Sequence, residues 1–364
     1  MKNETVLIVG NSVNCVDLFY LSNFLSEDDF VYLSAPSPTI FVSSMEFERA
    51  KRESKVSVES LQDYGKKIEE ALVEILKKRE LKNISVPPYF PLSIAERLKS
   101  EGMKLKVISD IVPQRRIKNP EEVKKISISQ RIAGEAMKMV LRILKKSKEK
   151  GGILYYGDFP LTSERLKTLV SLKLISLSSS CEMMIISSGT QTAIPHHRGE
   201  GEIKSGESIV VDIFPKHTLF RYHGDLSRTF VVGEPAQELR EAYDHVLNAQ
   251  QLALSMIHSG LSCRELHSAV KDYFSDHGYE TDVKKSTGFI HSTGHGIGLE
   301  IHEPPLISEN DETLERGNVI TVEPGLYFPK RFGVRVEDVA VVHRDGVKII
   351  EGGVPKILEV WKFE

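Results

Sequence analysis

The sequence predicts an α/β amino-terminal domain over residues 1–115, followed by an α+β domain over residues 116–364. Three observations predict it. Residues 1–110 alternate short apolar runs with amphipathic stretches; a basic, proline-containing junction ends that pattern near residue 115; and beyond residue 185 strand-like runs carry carboxylates and histidines. A chain of 364 residues also exceeds one ordinary core and suits two domains.

In the first part "TVLIVG" and "FVYLSA" read as strands. A helix is expected from Leu61 to Lys78, where Leu61, Tyr64, Ile68, Leu72 and Ile75 recur at spacings of three and four and make one apolar face. The junction "IVPQRRIKNPEEV" then supplies a helix start. Asn119 stands at the N-cap, Pro120 at the first helical position, and Glu121 and Glu122 in the first turn of a helix running to about Lys145. "KKSKEKGG" ends it, and a second helix begins at Thr162 or Ser163. Strands follow at "MMIISSG", "SIVVDIF" and "TFVVGEP". Helices are expected over 236–259 and 262–277, closed by Gly260 and Gly278. The remainder, "NVITVEPGLYF" and "GVRVEDVAVVH", reads as strands.

Composition excludes several classes. With 40% hydrophobic residues, 27% charged and a net charge of −3, the chain has a globular make-up and no polybasic surface for nucleic acid or anionic membrane. Partners of small or peptide size are expected. The apolar run from Val6 to Gly10 is too short for a secretion signal or a membrane span, which makes the cytosol the expected location. Cys15, Cys181 and Cys263 are odd in number and lack CxxC spacing, as in a reducing compartment where thiols act as small buried hydrophobes.

The segment "HSTGHGIGLEIHE", residues 291–303, concentrates three histidines, two glutamates and three glycines. Gly294, Gly296 and Gly298 could present backbone N–H groups to a phosphate. A phosphate fingerprint, however, leads from a strand into a helix, and here Pro304 and Pro305 follow while acidic residues stand in the anion's place. A metal site or an acid/base site fits better.

Strand carboxylates point the same way. The two-residue period sets Asp212 on the face of Val210 and Phe214, Glu323 with Thr321 and Val319, and Arg335 and Glu337 with Val339 and Val341. An unpaired ionised carboxylate in such a run costs at least several kcal/mol, so each is expected to be paired or to bind metal. Asp225, in "YHGDLSRTF", follows Asp212 at a distance that suits neighbouring strands of a hairpin. Asp212, Asp225, Glu323 and Glu337 with the imidazole of His295 would form an oxygen-rich site of charge −4. Two divalent ions balance that charge. Hard oxygen donors with one imidazole suit Mn, Co, Fe or Zn.

At these residues the chain resembles the pita-bread-fold metallopeptidases of the Xaa-Pro type, the group of prolidase and aminopeptidase P. "GTQTAIPHHRGE", "VVDIFP", "GDLSRTF", "STGHGIGLEIHEPP", "ITVEPGLYF" and "GVRVEDV" stand in the family order. The resemblance implies a pita-bread (creatinase/aminopeptidase) catalytic domain, a homodimer, and two divalent ions per chain, Mn or Co first and Zn or Fe next. It implies Asp212, Asp225, His295, Glu323 and Glu337 as ligands, with Asp225 and Glu337 bridging, and places His196, His291, His302 and Arg335 around an Xaa-Pro dipeptide or short peptide. His197, His217 and His223 are expected in solvent or behind the site.

Chemistry consistent with that set is a hydroxide made available near neutral pH between two ions, with His302 donating to the tetrahedral intermediate and Glu323 carrying the proton that a proline nitrogen needs to depart. His196 and His291 are expected to line the pocket, His291 among the catalytic residues with His302 and Glu323, and His196 with Arg335 as substrate-binding residues. Two positions depart from the family: Leu306 stands where many dipeptidases carry an arginine for the substrate carboxylate, and Ser227 stands where a threonine is usual. Residues 1–115 resemble the family only loosely, chiefly at "DLFYLSNF". Other readings are a methionine aminopeptidase, a creatinase-like amidinohydrolase, and an inactive pita-bread binding module. The last loses ligands, whereas this chain keeps all five positions.

Overall fold

Apolar residues on both faces of Thr5–Gly10 (β1) make it a central strand, buried on both sides. The computed structural model describes residues 4–363 and divides into two units, Met1–Arg115 and Arg116–Glu364. In the first unit β1 is joined by α1 (Val16–Ser22), β2 (Phe30–Leu33), β3 (Thr39–Val42), α2 (Phe47–Glu53), β4 (Ser57–Ser60), α3 (Ile68–Lys78), β5 (Asn83–Val86), α4 (Leu92–Ser100) and β6 (Lys104–Val107). The sheet runs β4-β3-β2-β1-β5-β6, with β1 antiparallel to β2 and parallel to β5. Leu7, Val9, Val31 and Leu33 pack on Leu72, Ile75 and Leu98 of α3 and α4, while Ile8, Phe30, Tyr32 and Ile40 pack on Leu18 and Ala50 of α1 and α2. The strand period thus feeds two cores.

One expected element differs. The helix begins at Ile68, and Leu61–Asp63 form a separate 3₁₀ turn. At Gly65 between them a Cβ would stand 2.8 Å from the Ala71 nitrogen, so the chain bends there. Leu61, Tyr64 and Ile68 still reach the same core, which is why their spacing looked continuous.

The second unit opens with α5 (Pro120–Lys146). Its capping box is complete: Asn119 accepts from the N–H groups of Glu121 and Glu122, and Glu122 accepts from that of Asn119. A small sheet of β7 (Lys148–Lys150), β8 (Ile153–Tyr156) and β9 (Phe159–Pro160) leads to α6 (Ser163–Ser176), capped by Thr162. β10 (Ser179–Ser180) pairs with β13 (Lys216–His217), and β11 (Ile185–Ser188), β12 (Ile209–Ile213) and β14 (Leu226–Phe230) form an antiparallel sheet in the order β11-β12-β14. Ile209, Val211 and Ile213 share a core with Met137, Val140 and Leu141 of α5.

The next helices, α7 (Gln237–Met256) and α8 (Cys263–Asp276), cover a second sheet. It contains β15 (Gly294–Gly296), β16 (Glu303–Ile307), β17 (Val319–Val322), β20 (Asp338–His343) and β21 (Gly346–Ile350) in the order β16-β15-β17-β20-β21. The hairpin of β18 (Gly325–Phe328) and β19 (Phe332–Arg335) interrupts it in sequence. Val246, Leu266, Val270, Ile320, Val322 and Val336 share the second core. Two helices against an antiparallel sheet, twice over, is the pita-bread arrangement. Among the described residues no helix is long and apolar enough to cross a membrane.

Candidate metal and acid–base site

Alternation along β12 sends Ile209, Val211 and Ile213 into the core and leaves Asp212 on the opposite face, lining a cavity of about 610 Å³. β12 and β14 pair antiparallel with Asp212 opposite Ser227, and Asp225 precedes β14 at the same end. The second sheet repeats the device. Val322 pairs with Asp338, so Glu323, just after β17, and Glu337, just before β20, lie together at one end of that strand pair. All four carboxylates line the cavity, as do His196, His291, His295, His302 and Arg335.

His295 comes from the central strand β15. Its Nε2 lies 3.2 Å from Glu323 Oε1 and 3.8 Å from Asp225 Oδ2, while its Nδ1 faces the Gly296 carbonyl at 3.1 Å. The glycines around it serve close packing. A Cβ at Gly294 would stand 2.0 Å from the Thr321 carbonyl oxygen, and one at Gly296 would stand 2.6 Å from that of Glu303. They let β15 lie against its neighbours.

Arg335 occupies the floor. Its guanidinium donates to Asp212 Oδ2 and to Tyr327 Oη at 2.9 Å each, to Ser227 Oγ at 3.1 Å and to the Pro195 carbonyl at 3.3 Å. Tyr327 is a residue that sequence reasoning missed: fully buried, it also lies 3.0 Å from His291 Nε2. The two-residue period from Glu323 through Gly325 was the available cue. His291 is thereby fixed between Tyr327 and the Ser292 carbonyl, and burial pushes its imidazole down to about 4, so it is neutral near pH 7. His196 and His302 are exposed, and the His302 ring stands edge-on to that of His295 with centroids 4.3 Å apart. Of the other histidines, His217 stacks on Phe220 at 3.7 Å, His197 Nδ1 accepts from the Gly199 N–H at 3.0 Å, and His223 is held neutral by burial, its imidazole pushed down to about 4.

The cluster is short of positive charge. Burial and mutual repulsion push the carboxyls of Asp225 and Glu337 well above the usual range. Glu323 moves the other way: burial opposes its ionisation, but the hydrogen bond and charge of His295 hold it at about 2. Asp212 Oδ1 is buried with no hydrogen-bond partner. Asp225, His295 and Glu337 can each offer a ligand atom within 4.8 Å of the other two. Converging hard donors, an orphaned carboxylate oxygen and suppressed ionisation are what divalent cations would relieve, and the residues fit such ions.

A buried carboxylate cluster in a pita-bread domain that follows a mixed α/β domain in sequence defines a class of metal-dependent hydrolases. Residues 124–344 match the model of metallopeptidase family M24, and residues 5–118 match the creatinase/prolidase N-terminal domain. The chain belongs to metallopeptidase family M24. It is 33% identical over 322 residues to an Xaa-Pro dipeptidase of Pyrococcus furiosus, covering 88% of this chain and 86% of that protein. Among solved structures, the Xaa-Pro dipeptidase from Bacillus anthracis superposes with a TM-score of 0.85 at 27% identity, covering 98% of this chain and 94% of that one. The X-Pro aminopeptidase from Thermotoga maritima gives 0.83 at 27% identity, with 98% and 97% covered.

Proposed function

We infer that this metallopeptidase hydrolyses the peptide bond before proline in Xaa-Pro dipeptides or short peptides, using two divalent ions held by Asp212, Asp225, His295, Glu323 and Glu337. The observation that carries the reading is the convergence of these five side chains on one pocket, with Asp212 Oδ1 unpartnered and the ionisation of Asp225 and Glu337 suppressed. Bound ions would polarise the scissile carbonyl and acidify water. Mn or Co are the proposed ions, with Zn or Fe as alternatives.

The chain's own groups do the rest. Glu323, ionised and hydrogen-bonded to His295, is the group to take a proton from water and pass it to the proline nitrogen, which leaves poorly unless protonated. His302, on the exposed side of His295, donates to the oxygen that gains charge in the transition state. His196 and His291 bound the substrate, while Arg335 holds Asp212 in place. The proposed enzyme is a cytosolic homodimer; light scattering and cell fractionation read out those two statements.

Hydrolysis of Ala-Pro and Met-Ala by metal-loaded protein tests the substrate class. Release of alanine from Ala-Pro, with Met-Ala at least tenfold slower, is expected. Cleavage of Met-Ala without action on Ala-Pro would replace this reading with a methionine aminopeptidase.

A further inference from the structure

The turn that leads from β15 to β16 is filled by a carboxylate of its own. Glu303 Oε1 accepts from the Glu300 N–H at 3.1 Å, and a Cβ at Gly298 would stand 2.7 Å from Glu303 Oε2. That second oxygen meets Lys118 Nζ at 2.8 Å, and the two side chains are 1% and 3% exposed. Lys118 is anchored in turn. Its backbone N–H donates to the Gly317 carbonyl at 2.9 Å, and the next residue, Asn119, is the N-cap of α5. The pair therefore pins the turn to the start of the long helix across 185 positions of sequence.

Buried ion pairs are often no better stabilisers than an apolar pair of similar volume, and fixing an arrangement is their best-attested use. What this one arranges is the residue just before Glu303. His302 has an exposed ring that meets His295 on one edge, so its place depends on the backbone that carries it. A misplacement of about 1 Å in a reacting group can cost on the order of a hundredfold in rate.

We propose that Lys118 and Glu303 are positioning residues that set His302 against the reacting carbonyl. This rests on the donor role given to His302 above. Glu303→Gln keeps the size and an acceptor for the Glu300 N–H but removes the charge facing Lys118. In metal-loaded full-length protein acting on Ala-Pro well below its melting temperature, this variant is expected to lose about 10- to 100-fold in kcat with KM changed by less than about threefold. In a His302→Ala background the same substitution is expected to change kcat by less than about twofold, because residues acting as a unit do not add. Losses that multiply overturn the proposal.

Two further measurements separate positioning from mere stability. Removing both charges, in Lys118→Met with Glu303→Gln, is expected to restore the melting temperature relative to Glu303→Gln alone while kcat stays low. Recovery of kcat together with the melting temperature would make the pair structural only. In metal-free protein labelled at histidine, the His302 ring resonance should broaden or split in Glu303→Gln while that of His277, the C-cap of α8, stays unchanged; an unaltered His302 resonance also counts against the proposal. If wild-type protein leaves Ala-Pro intact, the substrate reading fails by itself and the resonance still decides whether the pair positions His302.

Discussion

Arg335 Nη2 reaches Asp212 Oδ2 at 2.9 Å and leaves Asp212 Oδ1 buried without a partner. One carboxylate oxygen is thus neutralised by a fixed cation while the other has no protein partner. Removing one partner of a buried ion pair typically costs about 3–5 kcal/mol. Arg335→Met should therefore lose on that order of stability in metal-free protein and distinctly less when loaded with Mn, since the ions supply the missing positive charge. Urea unfolding with and without metal checks this; an equal loss in both forms would show that Asp212 does not face the ions.

Chelator-stripped protein is expected to be inactive on Ala-Pro and to recover with Mn or Co. The motive is the buried set of Asp212, Asp225, Glu323 and Glu337, in which Asp225 and Glu337 resist ionisation without added positive charge. Turnover that persists at full rate after elemental analysis has verified removal would end the two-ion reading.

His302→Ala should keep both ions and lose most turnover. The ring touches His295 at 4.3 Å between centroids and stands on the exposed side of the cluster, as a donor to substrate would. Deleting such a donor typically lowers kcat by about 10²–10³. Loss of an ion from this variant, measured on the purified protein, would instead make His302 a ligand.

A pH prediction comes from His267 of α8, buried 3.0 Å from Thr293 Oγ1 and packed on Phe289. Burial pushes its imidazole below the ordinary value; Glu309 opposes that shift and Lys271 adds to it. The unfolded chain therefore takes up a proton at a higher pH than the folded one. Its contribution to stability is complete above the ordinary histidine value of about 6.5 and is lost as pH falls from there toward the depressed folded value. A single group of this kind changes stability by at most about 1.4 kcal/mol per pH unit. Urea unfolding at neutral and mildly acidic pH should give a shallower decline for His267→Gln than for the wild type; identical slopes would remove His267 as a source.

Much of the site was legible because its cues are local. The two-residue period set Asp212 with Val210 and Phe214, where a carboxylate needs a partner, and the structure turns that face away from the core of Ile209, Val211 and Ile213; Asn119-Pro120-Glu121-Glu122 named the start of α5 because a capping box is complete within four residues. Other features depend on partners far away in sequence. Lys118 and Glu303 meet across 185 positions, and Tyr327 gains its role only when the β18–β19 hairpin brings it between His291 and Arg335. The apolar spacing from Leu61 to Ile75 missed the bend at Gly65 because a 3₁₀ turn followed by a helix keeps the same residues on one core.

Substrate length turns on Leu306, 45% exposed at the edge of the pocket. An apolar side chain there gives a free proline carboxylate nothing to bind. Arg335 is no substitute, because its guanidinium is already engaged by Asp212, Tyr327, Ser227 and the Pro195 carbonyl. A dipeptide should then gain little over a longer peptide, for a charge-assisted contact contributes about 1.5–3 kcal/mol and its loss removes roughly a ten- to hundredfold preference. Comparing kcat/KM for Ala-Pro with that for Ala-Pro-Ala checks this. Comparable values mark a broader Xaa-Pro aminopeptidase. A dipeptide advantage above about a hundredfold, about 2.7 kcal/mol on the kinetic scale, would mean that another cation clamps the carboxylate. Arg198 is then the residue to replace. It lines the same pocket and is exposed, and its guanidinium donates to the Glu182 carbonyl, a contact that a substrate carboxylate would have to displace. If Arg198→Gln erased that advantage, the enzyme would be a dipeptidase whose carboxylate clamp is Arg198 and not a residue at the position of Leu306.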